Sequence, residues 1–486
     1  MSKKNNAQKN SARKNAAVNR KKNELQLLVN ELFKYVTSFS LHMKLNDEWD
    51  AFVKISDYVS KIINVEKDFS KPLPVRKISK NFDSWLENNG AQFEGLKLAE
   101  LSDYGCGLVA TKDIESGEMI LKIPRKLMMT VEDAESSHLN KLIQENTILQ
   151  HMPNITLALF LLYERFKPQK SFWEPYFNVL PHSYPTVLYF NRSEMEGLRG
   201  SPAFEFAMKQ YRHIARQYTY FKKVFEQSND EASKVLRDIF TFEKYRWAVS
   251  TVMTRQNFVP SADEKRSVNA FIPMWDMCNH ENGEPSTIYN AETKESQCVA
   301  WRKFSVGKQV FIFYGVRTNA DFLVHNGFVA MDNKHDGIQL KLGISKADPL
   351  HDDKATILKE LEIPPAGEFL VKTGNEPVDG QLLAFLRVFS MEKEHLSHWL
   401  ENIERCSDLT HIDCALDTAL EKKTWMFLLT RLTLLLKSYP TSLEEDLESL
   451  IDESLSTCQH NVLKLLICEK RIFNKCIEYA KQRIKV

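Results

Sequence analysis

The sequence predicts an α+β protein: two regions of short strands separated by a helical insertion, then an all-α C-terminal domain. Three observations predict it. Short apolar bursts broken by turn residues occupy 93–125 and 268–315, the texture of strands. Apolar residues at helical spacing occupy 131–255 and the last third. The length of 486 residues, at roughly 150 per domain, asks for about three domains or two with a large insertion. No internal repeat offers a solenoid instead.

Taken in order, residues 24–65 read as helical, with Leu25, Leu28, Val29, Leu32, Phe33 and Val36 on one stripe. Pro72 and Pro74 break that pattern. Leu108–Ala110 and Met119–Ile123 read as strands around the turn Glu115-Ser116-Gly117-Glu118. Within the insertion, Ile155 to Leu162 is almost wholly apolar and reads as a buried helix, and Tyr211 to Phe225 as an aromatic amphipathic one. Gln309 to Tyr314 reads as a buried strand ending at Gly315, and Ile338 to Leu342 as a further strand. The remainder predicts helices over Gln381–Cys406, Asp417–Tyr439 and Ser442–Lys485, the second stopped by Pro440.

Apolar residues are 43% and charged residues 27% of the chain, a globular composition that excludes wholesale disorder, collagen and a small disulfide scaffold. No apolar run approaches the ~20 residues that span a bilayer; Trp425–Leu436 is interrupted by Thr430 and Arg431. The net charge of +1 excludes nucleic-acid binding by bulk electrostatics. Residues 1–23 nevertheless carry eight Lys/Arg and no acid; taking those eight from +1 leaves −7 on the rest. This stretch reads as a disordered basic tail, either merely solvated or a nuclear-import or nucleic-acid patch, and it has no secretory h-region. The eight cysteines form no C-x-x-C pair and no zinc spacing, so they read as reduced thiols of a cytoplasmic or nuclear protein, with no metal.

Four segments carry polar chemistry. Gly105-Cys106-Gly107-Leu108-Val109-Ala110 matches G-x-G-x-x-A, but its glycines open strands and no helix follows, so the dinucleotide reading fails and a turn or close ligand approach remains. Trp275-Asp276-Met277-Cys278-Asn279-His280 reads alone as a polar turn after a strand; Asp276 and His280 at i, i+4 lack a third metal ligand. Phe311–Tyr314 leads into Gly315-Val316-Arg317, and Thr254-Arg255-Gln256-Asn257 sets a guanidinium beside two amides. Each has a bland reading: core tyrosine, surface arginine.

Order and spacing change that reading. Gly-x-Gly, then Arg-Gln-Asn, then Asn-His about twenty residues on, then Tyr-Gly about thirty-five later, resembles the SET-domain methyltransferases of the Rubisco large-subunit methyltransferase type. The strings YRWAVSTVMTRQN (245–257), IPMWDMCNH (272–280), FIFYG (311–315), PRKLMMTV (124–131) and QLLAFLRVF (381–389) narrow the resemblance to the actin-histidine N-methyltransferases within it. The resemblance implies a SET domain over 95–315, with the insertion at about 131–255. It further implies an N-terminal helical segment over 24–94 and a substrate-binding helical domain over 330–486.

It also implies transfer of methyl from S-adenosylmethionine, leaving S-adenosylhomocysteine, to the Nε2 (tele) atom of one actin histidine by in-line SN2 displacement. By the same resemblance the cofactor meets Arg76, Tyr104, Cys106, Arg255, Asn279, His280, Tyr314, Asn326 and Phe328. The actin segment meets Arg216, Asn257, Trp275 and Arg317, with Tyr314 and Asn257 catalytic. Tyr104 stands where the family has an acid, and Asn326 where it has a small hydroxyl residue. Actin is the implied partner, with no membrane and a monomeric, cytoplasmic and in part nuclear protein. Two other readings share these features: a histone-lysine methyltransferase, and a non-catalytic docking module.

Overall fold

Strand pairing places the glycine-rich segment at the centre of a sheet. The computed structural model describes residues 2–39, 43–102 and 105–485, with side chains from residue 18. β1 (Leu96–Leu101) and β2 (Gly105–Ala110) form an antiparallel hairpin in the register Leu96↔Ala110 to Leu101↔Gly105. β3 (Met119–Pro124) and β4 (Met129–Thr130) come next, and the helical insertion follows. After it come β5 (Asn257–Pro260), β6 (Ser267–Phe271), β7 (Asn279–His280), β8 (Thr287–Asn290), β9 (Glu295–Val299) and β10 (Gln309–Ile312).

These strands make three small sheets, ordered β1-β2-β10-β7, β3-β9-β8 and β4-β6-β5. β10 runs antiparallel to β2 and parallel to β7, pairing Phe311 with Asn279 and Ile312 with His280. The two strands flanking Gly117 therefore join different sheets. Gly117 itself sits at φ +82°, which only glycine adopts without strain.

The chain forms two compact units. The first holds residues 1–192, 207–315 and 325–327. Its N-terminal helix runs from Ser2 to Thr37, where a disordered tail is predicted over 1–23. The stretch contains neither proline nor glycine, and its many Lys and Ala residues are good helix formers that offset its Asn residues, so nothing local stops the helix. Val29, Leu32 and Val36 lie buried on one face of it, as do Phe52, Ile55, Val59 and Ile62 on the helix Leu45–Glu66. In the insertion, Pro153–Phe166 is buried along Ile155–Tyr163 as its composition requires.

The second unit holds 193–206, 316–324 and 328–486. Residues 193–206 thus leave the insertion with which sequence order groups them. The ladder of β11 (Gly337–Gly343) and β12 (Ala366–Lys372) has no counterpart for its second strand in the sequence reading. The single helix predicted over Gln381–Cys406 is three pieces: Gly380–Ser390, Lys393–Glu401 and a 3₁₀ turn, Ile403–Thr410. Met391 turns extended, and Glu392 then caps the next piece. Ser442–Lys485 also splits, into Leu443–Ser449 and Thr457–Ile484. There Ser456 and Gln459 exchange bonds of 3.1 and 2.8 Å in a capping box, which starts a new helix.

Candidate active site

The centre of the first unit is the contact between β2 and β7. Asn279 donates through Nδ2 to the Cys106 carbonyl at 2.9 Å and to Gln309 Oε1 at 2.6 Å. Both amide protons are spent, which leaves Asn279 Oδ1 as an acceptor without a partner among the described residues. Close approach requires Gly107: a Cβ there would stand 2.4 Å from Gln309 Oε1 and 2.8 Å from Asn279 Nδ2. The second glycine of the G-x-G is therefore a packing position, and the first, Gly105, takes φ +71° beside open space.

The charges of two arginines act on Cys106. Burial raises the pKa of its thiol, against the opposing pull of Arg76, which hydrogen-bonds it, and of Arg255. The Nε atoms of Arg76 and Arg255 are both buried without a partner among the described residues. Two buried donors with no acceptor, on arginines that both act on Cys106, suit a carboxylate that the protein itself does not supply. Arg255 is held from behind: its Nη1 donates to the Asp276 carbonyl at 2.7 Å and lies 3.7 Å from Asp276 Oδ1. Burial works against the Arg255 charge, but Tyr184, Asp276 and Tyr176 outweigh it and raise its pKa. Burial likewise pushes the Asp276 carboxyl up to about 6, against Arg255 and the Tyr176 hydroxyl that donates to Oδ2.

The chain reaches Asp276 through Met274, which is fully buried at φ +70° and ψ −49°, the strained geometry of a γ-turn. That turn delivers the 3₁₀ segment Trp275–Met277, and the Trp275 Nε1 donates to Thr287 Oγ1 at 2.8 Å.

Tyr314 lies beyond the strand predicted to contain it, because β10 ends at Ile312. Its backbone N–H goes to His280 Nδ1 at 3.2 Å, leaving the ladder. Its hydroxyl donates to the Cys278 carbonyl at 2.6 Å, and its ring lies 5.2 Å from that of His280. Cys278 itself is buried with its pKa raised well above the ordinary thiol value, so it is no nucleophile. Asn257 follows the helix Phe242–Arg255 by two residues. Its Oδ1 accepts from Phe258 N at 2.8 Å, and its Nδ2 has no partner among the described residues.

The remaining candidates are more scattered. Arg216 is exposed on the helix Ala203–Gln227, and Asn326 ends the π-helical turn Phe322–Asn326. Arg317 and Phe328 belong to the second unit, where Arg317 is exposed and Phe328 stacks on Phe322 at 4.7 Å. Tyr104 lies outside the described residues. Sequence reasoning missed three participants. Asp276 was weighed only as a metal ligand, Gln309 only as part of a strand, and Tyr176 carries no local signal. Among the described residues no cluster of His, Cys, Asp and Glu could hold a metal ion.

The SET domain family matches residues 105–315, and the Rubisco LSMT substrate-binding family matches 345–473. Actin-histidine N-methyltransferases of Canis lupus familiaris and Homo sapiens are each 43% identical over 439 residues, covering 89% of this chain and 74% of theirs. That of Dasypus novemcinctus is 44% identical over the same length. The chain belongs to the actin-histidine N-methyltransferase family. Its fold is also that of Rubisco LSMT bound to AdoMet, at TM-score 0.68 and 21% identity, over 84% of this chain and 92% of that one. A second LSMT structure, bound to lysine and AdoHcy, superposes with the same TM-score. This family member is therefore a methyltransferase built on a SET domain, followed by a helical substrate-binding domain.

Proposed function

We propose that this chain transfers the methyl group of S-adenosylmethionine to the Nε2 (tele) atom of one histidine of actin. The family relationship, 43% identity over 439 residues to proteins that carry this activity in their name, is the observation that carries the reading. S-adenosylmethionine, when bound, supplies an electrophilic methyl on a sulfonium, which the acceptor nitrogen takes in one in-line displacement.

The chain's own residues fit that chemistry. The buried Nε donors of Arg76 and Arg255 suit the cofactor carboxylate, and the unused Asn279 Oδ1 suits its ammonium. Tyr314 gives its only hydroxyl proton to Cys278, so the phenol oxygen offers lone pairs toward positive charge and cannot protonate the acceptor. A neutral imidazole attacking through Nε2 keeps its proton on Nδ1 and needs an acceptor there. Asn257 Oδ1, with one lone pair on Phe258 N, has its second to give. No strong base is required, because most histidine is neutral at pH 7 with a pKa of ~6.5, unlike lysine at ~10.4. Arg216, Trp275 and Arg317 are proposed to meet the actin segment, and His280, Asn326 and Phe328 the adenosine end. All eight cysteines are free and six are buried, which suits a reducing cytoplasm or nucleus; a monomer is the oligomeric state proposed.

Mass spectrometry tests this. The chain is incubated with S-adenosylmethionine and unmethylated actin, beside a histone mixture. Methyl on a single actin histidine is expected. Methyl on lysine alone would transfer the reading to a lysine methyltransferase. Cofactor binding without transfer to either would remove actin as substrate.

A further inference from the structure

A cavity of about 460 Å³ lies beside the end of the helix Leu45–Glu66, and none of its lining residues is assigned to methyl transfer. Lys244 lines it although only 6% exposed. Its Nζ donates to Ser70 Oγ at 2.7 Å and stands 4.7 Å from the centre of the Phe166 ring, and no carboxylate pairs with it among the described residues. A buried ammonium without a paired carboxylate is costly; burial lowers its pKa against the pull of the Glu66 charge, and Lys222 lowers it further.

The cavity's own carboxylates do not neutralise it. Glu66 accepts from the Tyr218 hydroxyl at 2.5 Å and from Phe242 N at 2.8 Å, and burial pushes it up to about 7. Glu243 is committed to Arg246. Two further lysines, Lys67 and Lys71, stand exposed on the same wall without carboxylate partners among the described residues, and His182 joins them. Lastly, Tyr189 is on this lining with Arg246 4.0 Å from its ring centre, and its buried hydroxyl donates to no acceptor among the described residues. Unspent positive charge and an unspent O–H donor thus face one space, with Ile63 and Leu73 as apolar walls.

We propose that this cavity binds a compact oxyanion, a phosphate or phosphate monoester, held by Lys244, Lys67 and Lys71 with the Tyr189 hydroxyl donating. Point-charge ammonium groups placed around one centre, with no planar guanidinium fork among them, suit a tetrahedral anion with several acceptor oxygens. The lining comes from residues 63–73 and from 182–244, so an anion there would tie the N-terminal helical segment to the insertion.

The test is thermal unfolding of the full chain saturated with S-adenosylhomocysteine, so that Arg76 and Arg255 are already occupied. Inorganic phosphate and phenyl phosphate are titrated against sodium chloride of equal ionic strength. A saturable rise in Tm of roughly 3 °C is expected. The rise should be lost in the exposed double variant Lys67→Ser/Lys71→Ser and reduced in Tyr189→Phe. A larger response to phenyl phosphate would identify a monoester with an apolar body, and equal responses free phosphate. No rise beyond chloride overturns the proposal, as does a rise unchanged in the double variant.

Discussion

A side-chain amide and a carboxylate both accept a hydrogen bond from an imidazole N–H, but only the carboxylate adds charge. That difference tests Asn257. Its Oδ1 holds one backbone N–H at 2.8 Å and can hold the acceptor's Nδ1–H with the other lone pair. Asn257→Ala is expected to lower kcat by roughly 10²-fold, the scale of one positioned hydrogen bond, while cofactor affinity, measured by calorimetry, stays unchanged. Asn257→Asp should favour the imidazolium form of the acceptor. Its pH–rate profile should shift upward by about one unit, with activity recovering at alkaline pH; an unshifted profile would remove Asn257 from contact with the ring. Arg255 and Asn257 were legible because the string that carries them is local. Tyr176 was not, for it reaches Asp276 across exactly the kind of sequence distance that leaves no periodicity, 100 residues.

Elements are held to one another by a few buried side chains, and these are sensitive positions. Gly107→Ala would drive a Cβ to 2.4 Å from Gln309 Oε1 and 2.8 Å from Asn279 Nδ2, displacing the side chains that link β2 to β10 and β7. A loss of ~1–3 kcal/mol is expected, with weaker S-adenosylmethionine binding by calorimetry. Gly105→Ala faces open space and differs in kind, its cost arising from φ +71°. In the second unit Arg387 is 1% exposed. It donates to Glu421 Oε1 at 2.7 Å, to the carbonyls of Leu409 and Cys414 at 2.7 Å each, and to that of His411 at 2.9 Å. It therefore holds the backbone at the end of the 3₁₀ turn and just after it, beyond the helix predicted over Gln381–Cys406. Arg387→Met leaves three carbonyls unpaired and Glu421 with only the Trp425 Nε1 bond at 3.2 Å and no cation, and ~3–5 kcal/mol of destabilisation is expected in denaturant unfolding. The apolar spacing of 381–406 suits a helix throughout. The break falls where Met391 turns extended and Glu392 caps the next piece, which the apolar spacing does not record. The Ser456–Gln459 capping box, by contrast, is a signal that local reading could have used.

At the scale of the whole molecule, the two units make unfolding a multi-step process rather than a two-state one. Glu469 gives the second unit its own pH dependence. Its carboxylate accepts from Ser201 Oγ and from the Tyr439 hydroxyl, each at 2.8 Å, and burial pushes its pKa from 4.5 up to about 8. The native state keeps a proton that the unfolded chain releases, so this group's contribution is full below pH 4.5 and is lost as pH rises to about 8. Glu469→Gln, neutral throughout, should lose less stability between pH 6 and 9 than the parent, by roughly 3 kcal/mol. Equal slopes in the two proteins would show that Glu469 ionises in the folded state as it does in the unfolded one.

The sequence by itself determined the α+β class, the order of strand regions and insertion, and the strings that place the chain in its family. It did so because helical and strand periods, turn residues and motif spacing are written within short windows. Tertiary structure alone decided that Arg76 and Arg255 both act on Cys106, that Tyr176 braces Asp276, that residues 193–206 join the second unit, and that Arg387 gathers three carbonyls. Those arrangements follow from satisfying buried charges and hydrogen-bonding groups between segments distant in the chain, and no local pattern encodes that requirement.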